Sequence, residues 1–216
     1  MTNPEPTPIP PQLLSQLRQL APKRALTFSE SMTVAQHQAT GLRELLGIAT
    51  AAMPLDWVPE LPKLTVEVVP AYKLGEGTSG LTTRKDGRYL IAVNKNTSRS
   101  HRRFTLCHEL KHLIDYPYAR IWHAGLGRGD PDNENWRIER IADHFAAHLL
   151  MSTSLVKRAW GRGLQDPRTL SRVFEVSEEA MRIRLDNLGL TNDDELPAAT
   201  YFRRANPDPS YPIPAA

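Results

Sequence analysis

Thiol chemistry is nearly absent from this chain: one cysteine, Cys107, stands among 216 residues. A single thiol excludes an internal disulfide framework and points to a reducing compartment, the cytoplasm. Long apolar runs are missing as well. No stretch is long enough to span a bilayer, and the opening Met1-Thr2-Asn3-Pro4-Glu5-Pro6 is polar rather than basic and then apolar, as an export signal is. A membrane partner is not expected. Charge of one sign does not dominate either. A net charge of +3 and a pI near 9.1 are compatible with nucleic acid but argue for it only weakly. The length suits one mid-sized domain plus a smaller one, with a proper core.

What is present is concentrated in Arg103-Phe104-Thr105-Leu106-Cys107-His108-Glu109-Leu110-Lys111-His112-Leu113-Ile114. His108-Glu109-Leu110-Lys111-His112 matches H-E-x-x-H. On a helix, residues i and i+4 lie one above the other, so His108 and His112 can aim ring nitrogens at one ion. Glu109 sits on the flank of that face, placed to touch a metal-held water without ligating the metal. A Zn²⁺ there would lower the pKa of its water towards ~7, and Glu109 would take the proton. Leu106, Leu110 and Leu113 give the helix a core side of its own. The five-residue pattern alone is only moderately specific, because an amphipathic helix with two surface histidines also satisfies it. Cys107 points about 100° away from its neighbour His108 and reads as a small buried thiol rather than a ligand.

In chain order, residues 1–11 form a proline-rich, disordered or extended arm. Residues 12–20 read as a short helix with Leu13, Leu14, Leu17 and Leu20 on one stripe. Thr27-Phe28-Ser29-Glu30 is an N-cap region, and a helix over 33–46 stops near Gly47. Pro54, Pro59 and Pro62 then make a linker. From Leu64 the period becomes that of strands: 64–69 alternates and stops at Pro70, and 79–84 with 88–93 make a hairpin through Lys85-Asp86-Gly87. Leu90, Ile91, Ala92 and Val93 suit a strand buried on both faces. Ser98 or Ser100 can cap the motif helix. The fold class expected is α+β, a small antiparallel sheet packed on helices, whose edge can hold a substrate as an added strand.

A zinc hydrolase needs a third protein ligand and an open position. A second helix, from Asp132 or Asn133 through Trp136 to about Val156, buries Ile138, Ile141, Ala142, Phe145 and Leu149. Glu139 and Asp143 stand one turn apart beside that stripe. Glu139 can reach the zinc, while Asp143 can accept the other N–H of a ligating imidazole. H-E-x-x-H followed by E-x-x-x-D is far more specific than either half. His144 and His148 make another i, i+4 pair, but with no glutamate base beside it they read as surface. His123, Tyr116 and Tyr118 are candidate donors to a developing oxyanion. Gly125, Gly127 and Gly129 make the loop before the second helix either a lid or a plain connection.

Arg103-Phe104-Thr105-Leu106 ahead of His108-Glu109-x-x-His112, with Glu139-x-x-Ala142-Asp143-His144-Phe145-Ala146-Ala147-x-Leu149-Leu150-Met151, resembles the ImmA/IrrE family of metallo-endopeptidases over about residues 64–190. The resemblance implies a zincin-like, cytoplasmic zinc protease that cleaves a helix-turn-helix repressor. It carries His108 and His112 over as ligands, Glu109 as general base and Glu139 as third ligand. Two positions depart from the family pattern: Lys111 where a glycine is usual, and Ser152 where a proline is usual.

Residues 168–174, Glu175-Val176-Ser177 and 178–188 read as helix-turn-helix, closed by Gly189. Glu178 and Glu179 at the start of the second helix would repel phosphate, and Arg172, Arg182 and Arg184 offset this only partly. A packing or substrate-docking module is favoured over direct DNA readout. The expected division is therefore an arm (1–11), an N-terminal helical region (12–62), a zinc metalloprotease domain (63–160), a helix-turn-helix-like module (161–192) and an extended tail (193–216). The competing reading is a DNA-binding or scaffold regulator whose protease-like metal site is idle.

Overall fold

The elements run α1 (Leu13–Gln19), α2 (Phe28–Leu45), β1 (Leu64–Val69), β2 (Gly80–Lys85), β3 (Arg88–Asn94), α3 (Arg99–Asp115), α4 (Ala119–Trp122), α5 (Pro131–Leu150), α6 (Thr153–Gly161), α7 (Pro167–Phe174) and α8 (Glu178–Asn187). The computed structural model describes residues 9–127 and 130–190. Most of the expected arm, Gly129 and the whole expected tail lie outside them.

Local chemistry sets where the helices begin. Thr27 and Glu30 exchange side-chain and backbone hydrogen bonds in a capping box, so α2 starts at Phe28 rather than five residues later. Ser98 caps α3 by accepting from the His101 N–H. Asp130 caps α5 with Pro131 in the first helical position, ahead of the expected Asp132.

The sheet is mixed, which corrects the antiparallel one expected. Its order is β1-β3-β2; β2 and β3 pair antiparallel, whereas β1 pairs parallel with β3. The hairpin turn is as read, with Asp86 and Gly87 both at positive φ (51° and 74°). Composition decides the rest. Ile91, Ala92 and Val93 are all buried, so β3 takes the centre, while β1 carries exposed Glu67 and β2 carries Thr82 and Thr83 at the edges.

Helix α3 lies on the sheet and against α5, with Leu110, Leu113, Ile114 and Cys107 buried. Burial pushes the Cys107 thiol up to about 12, an inert core residue. The second helix is broken where a continuous one was expected. It stops at Leu150, Met151 leaves helical geometry (φ −124°, ψ 67°), and α6 starts at Thr153. The carbonyls freed at the break are taken by buried arginines: Arg43 donates to Leu149 O (2.8 Å) and Arg184 to Met151 O (3.0 Å). Arg18 does the same at the end of α3, donating to Ile114 O (2.8 Å) and Leu113 O (3.1 Å). One apolar cluster runs from Leu13 and Leu17 through the sheet and α3/α5 to Leu170, Phe174, Met181 and Leu185.

Candidate metal centre

The α3/α5 contact brings together four side chains that are one helical turn apart in pairs. His108 and His112 come from α3, Glu139 and Asp143 from α5. His108 Nε2 lies 3.0 Å from Glu139 Oε2 and 3.1 Å from His112 Nε2, and His112 Nε2 lies 3.4 Å from Glu139 Oε1. Ligand atoms of this trio all fall within 4.8 Å of one another. Ligands at the corners of a tetrahedron about Zn²⁺ stand roughly 3.3 Å apart, so the spacing fits one such ion.

Electrostatics point the same way. His108 Nδ1 donates to Asp143 Oδ1 at 2.9 Å, which turns the Nε2 lone pair towards Glu139 and His112. Acceptor atoms this close repel unless a cation stands among them. Burial works against charge on His108, yet the bonds to Asp143 and Glu139 outweigh it and raise its pKa well above the usual histidine value. Glu139 is likewise held well below the usual carboxylate range: burial opposes, and the two histidines prevail. The position is one that a proton or a metal fills. Two imidazoles and a carboxylate are a donor set suited to zinc.

Glu109 takes no part in that trio. It is 4% exposed, under β2, and Thr82 Oγ1 lies 2.7 Å from its Oε2 and 3.1 Å from its backbone carbonyl. Space for it depends on Gly80, where a Cβ would meet Glu109 Oε1 at 2.8 Å and collide with Thr105 Cγ2. Sequence reasoning missed Thr82 and Gly80. Their only sequence signal is a threonine two residues after a glycine in an edge strand, which names no partner.

Of the candidate oxyanion donors, His123 has a ring nitrogen in a buried ion-pair network. His123 is buried with its Nε2 3.3 Å from Asp115 Oδ2, and Asp115 also receives Lys111 Nζ at 2.5 and 2.6 Å. Lys111, in place of the family glycine, is thus neutralised inside the protein and not exposed beside the site. Tyr116 packs edge-on against Tyr89, and Tyr118 stacks on Trp122. The loop before α5 is anchored over its described part, since Leu126 and Trp122 are buried and Trp122 Nε1 donates to Pro22 O. His144 is half-buried and His148 buried, where both were expected at the surface. Burial and then Arg184 push them down to about 4 and about 3, and Arg184 Nη1 lies 3.1 Å from His148 Nε2. Helix α8, three elements further on, covers His148, which i, i+4 spacing could not reveal.

Among solved structures, a Mycobacterium tuberculosis transcriptional regulator is similar in fold, with a TM-score of 0.53 at 16% identity. The match covers 82% of this chain and 52% of the regulator, so the chain spans about half of that protein's length. A sequence comparison with curated proteins gives no match. No helix among the described residues is long and apolar enough to cross a membrane. The family model for the IrrE N-terminal-like domain, the M78 peptidases, matches residues 63–186, more than half of the chain and all of the site above, and the chain belongs to that family.

Proposed function

We propose that the chain is a zinc-dependent endopeptidase that makes a limited cut in a DNA-binding regulator. The observation that carries this reading is the spacing of His108, His112 and Glu139 around a single cation position, with the buried carboxylate of Glu109 beside it. His108, His112 and Glu139 would hold the ion, leaving a position open to water and substrate. Zinc, when bound, supplies Lewis-acid polarisation of the scissile carbonyl and acidifies water. Asp143 fixes the tautomer of His108 by accepting its Nδ1 proton. Glu109 accepts the proton of the attacking water and returns it to the leaving amine. Thr82 holds the Glu109 carboxylate in one orientation.

Membership of the M78 family and the fold shared with a transcriptional regulator support a regulatory substrate. A helix-turn-helix repressor is the substrate class that the family resemblance implies. Direct DNA readout by α7 and α8 is not favoured. Arg184 is buried and bonded to Met151 O, and Arg182 is bound to Glu178 at 2.7 Å. The helix pair serves better as a docking surface, where binding energy from contacts away from the scissile bond is made available to the cut. The test is co-expression with the product of a neighbouring regulator gene. A single cut that Glu109→Gln abolishes while zinc is retained supports the proposal, and an uncut regulator beside efficient casein digestion refutes it.

A further inference from the structure

Helix α5 brings more to the metal centre than Glu139 and Asp143. Trp136 precedes Glu139 by three residues, so the two side chains are neighbours on the helix surface, with Cβ atoms roughly 5–6 Å apart. Trp136 is 47% exposed. Among the described residues, it alone of the exposed large apolar side chains lies on α3 or α5, the two helices that carry the proposed ligands.

The indole is exposed but braced. Arg140, one turn on, holds its guanidinium carbon 5.8 Å from the Trp136 ring centre, and the ring of Phe28 from α2 lies 6.1 Å away at a tilt of 32°. Phe28 is itself steadied by Arg137, whose guanidinium carbon is 5.6 Å from its ring centre and whose Nη1 donates to Leu126 O at 2.6 Å. A ring held by neighbours from two helices loses little freedom when a partner covers it. Tryptophan so placed is a strong anchor, because it hides a large apolar area with only two torsions to fix.

The surroundings of Trp136 select the partner. Asp132, Glu134, Glu139 and Asp143 on the same helix outnumber Arg137 and Arg140, so phosphate is repelled and stacking of nucleic-acid bases is disfavoured. A substrate that reaches the open position beside Glu139 passes close to the indole. An extended peptide advances roughly 3.3 Å per residue, so a residue within two positions of the bond to be cut spans the distance to Trp136.

We propose that Trp136 is a specificity-determining residue that receives a large apolar side chain, aromatic or leucine-like, of the peptide substrate within two residues of the scissile bond. This rests on the peptidase reading above.

The test is selection of a displayed library of random peptides, about twelve residues long, on the zinc-loaded full chain carrying Glu109→Gln, so that bound peptides stay intact. Phe, Tyr, Trp, Leu or Met should be enriched about tenfold at one fixed position, the ratio that an apolar contact on a half-exposed ring supports. In that background Trp136→Gln and Trp136→Lys should each erase the preference, and Trp136→Phe should keep it in weaker form. Zinc stoichiometry and thermal unfolding of each variant report whether site and fold are intact. No enriched apolar position, or a preference that a folded Trp136→Gln or Trp136→Lys chain retains, overturns the inference. So does a dimer in sedimentation that Trp136→Gln dissolves, because a second copy then covers the indole. The selected peptides are finally offered to the chain with Glu109 in place. If they bind through Trp136 yet stay uncut, the peptidase reading fails and the recognition role stands. A cut more than two residues from the enriched position overturns the inference and leaves the peptidase reading intact.

Discussion

Thr82 on the edge strand and Glu109 on the motif helix are joined side chain to side chain, with Thr82 Oγ1 2.7 Å from Glu109 Oε2. The bond crosses from sheet to helix and orients a carboxylate that is otherwise hidden. Glu109 therefore depends on a residue twenty-seven positions away for its aim.

Removing that hydroxyl should slow turnover more than binding. Thr82→Val is expected to lower kcat about tenfold, because a hydrogen bond to a charged group contributes ~1.5 kcal/mol or more, with KM nearly unchanged. Thr82→Ser should behave almost as the parent. Gly80→Ala should also impair the chain, by about 1–3 kcal/mol of overpacking. Thr105→Ser, which removes the colliding methyl, should partly rescue it in a double-mutant cycle.

Metal retention should separate the site residues by role. Glu139→Ala is expected to lose most zinc affinity, and Asp143→Ala to weaken it about 10–100-fold through the freed imidazole. Glu109→Gln should keep zinc at full stoichiometry while peptide hydrolysis disappears. Isothermal titration with zinc, beside a cleavage assay on the same samples, decides each point. Chelation should lower the melting temperature of the parent, since an ion bound only by the folded state stabilises it.

The buried Lys111–Asp115 pair predicts an asymmetry. Asp115→Ala leaves an ammonium 2% exposed without its carboxylate, at an expected cost of about 3–5 kcal/mol, whereas Lys111→Met leaves Asp115 with His123 as a partner and should cost less. In the folded chain Asp115 lies below its usual pKa: burial opposes, and Lys111 and His123 more than offset it. A depressed carboxylate stabilises fully above the unfolded value of about 3.9, and that contribution is lost as pH falls through the lower folded value. Urea titrations across the acid range should show this loss, with Lys111→Met showing less of it.

The C-terminal helix pair should not be removable without damage. Leu170, Phe174, Met181 and Leu185 belong to the main core, and Arg184 satisfies the carbonyl at the α5/α6 break. A chain ending at residue 163 is expected to lose cooperative unfolding as seen by calorimetry. Arg184→Met, which keeps the apolar stem but strands Met151 O, should cost about 1–3 kcal/mol. A truncated chain that melts like the parent would contradict the packing described here.

The sequence alone determined whatever depends on near neighbours along the chain. Fixed helical rise puts His108 over His112 and Glu139 near Asp143, and Asp86-Gly87 forces the hairpin turn, because these are consequences of backbone geometry over four residues or fewer. The two motif blocks could even be read as meeting, since each lies beside an apolar stripe that must be buried. Tertiary structure decided what depends on which surfaces meet. The apolar β3 drew β1 to its free edge and made the sheet mixed; α8 covered His148; the break after Leu150 was completed by Arg43 and Arg184 from distant helices. Thr82 and Gly80 acquire their meaning only from facing α3. An edge-strand side chain carries no local signature of the helix it will meet, because that partner is selected by the packing of the whole core.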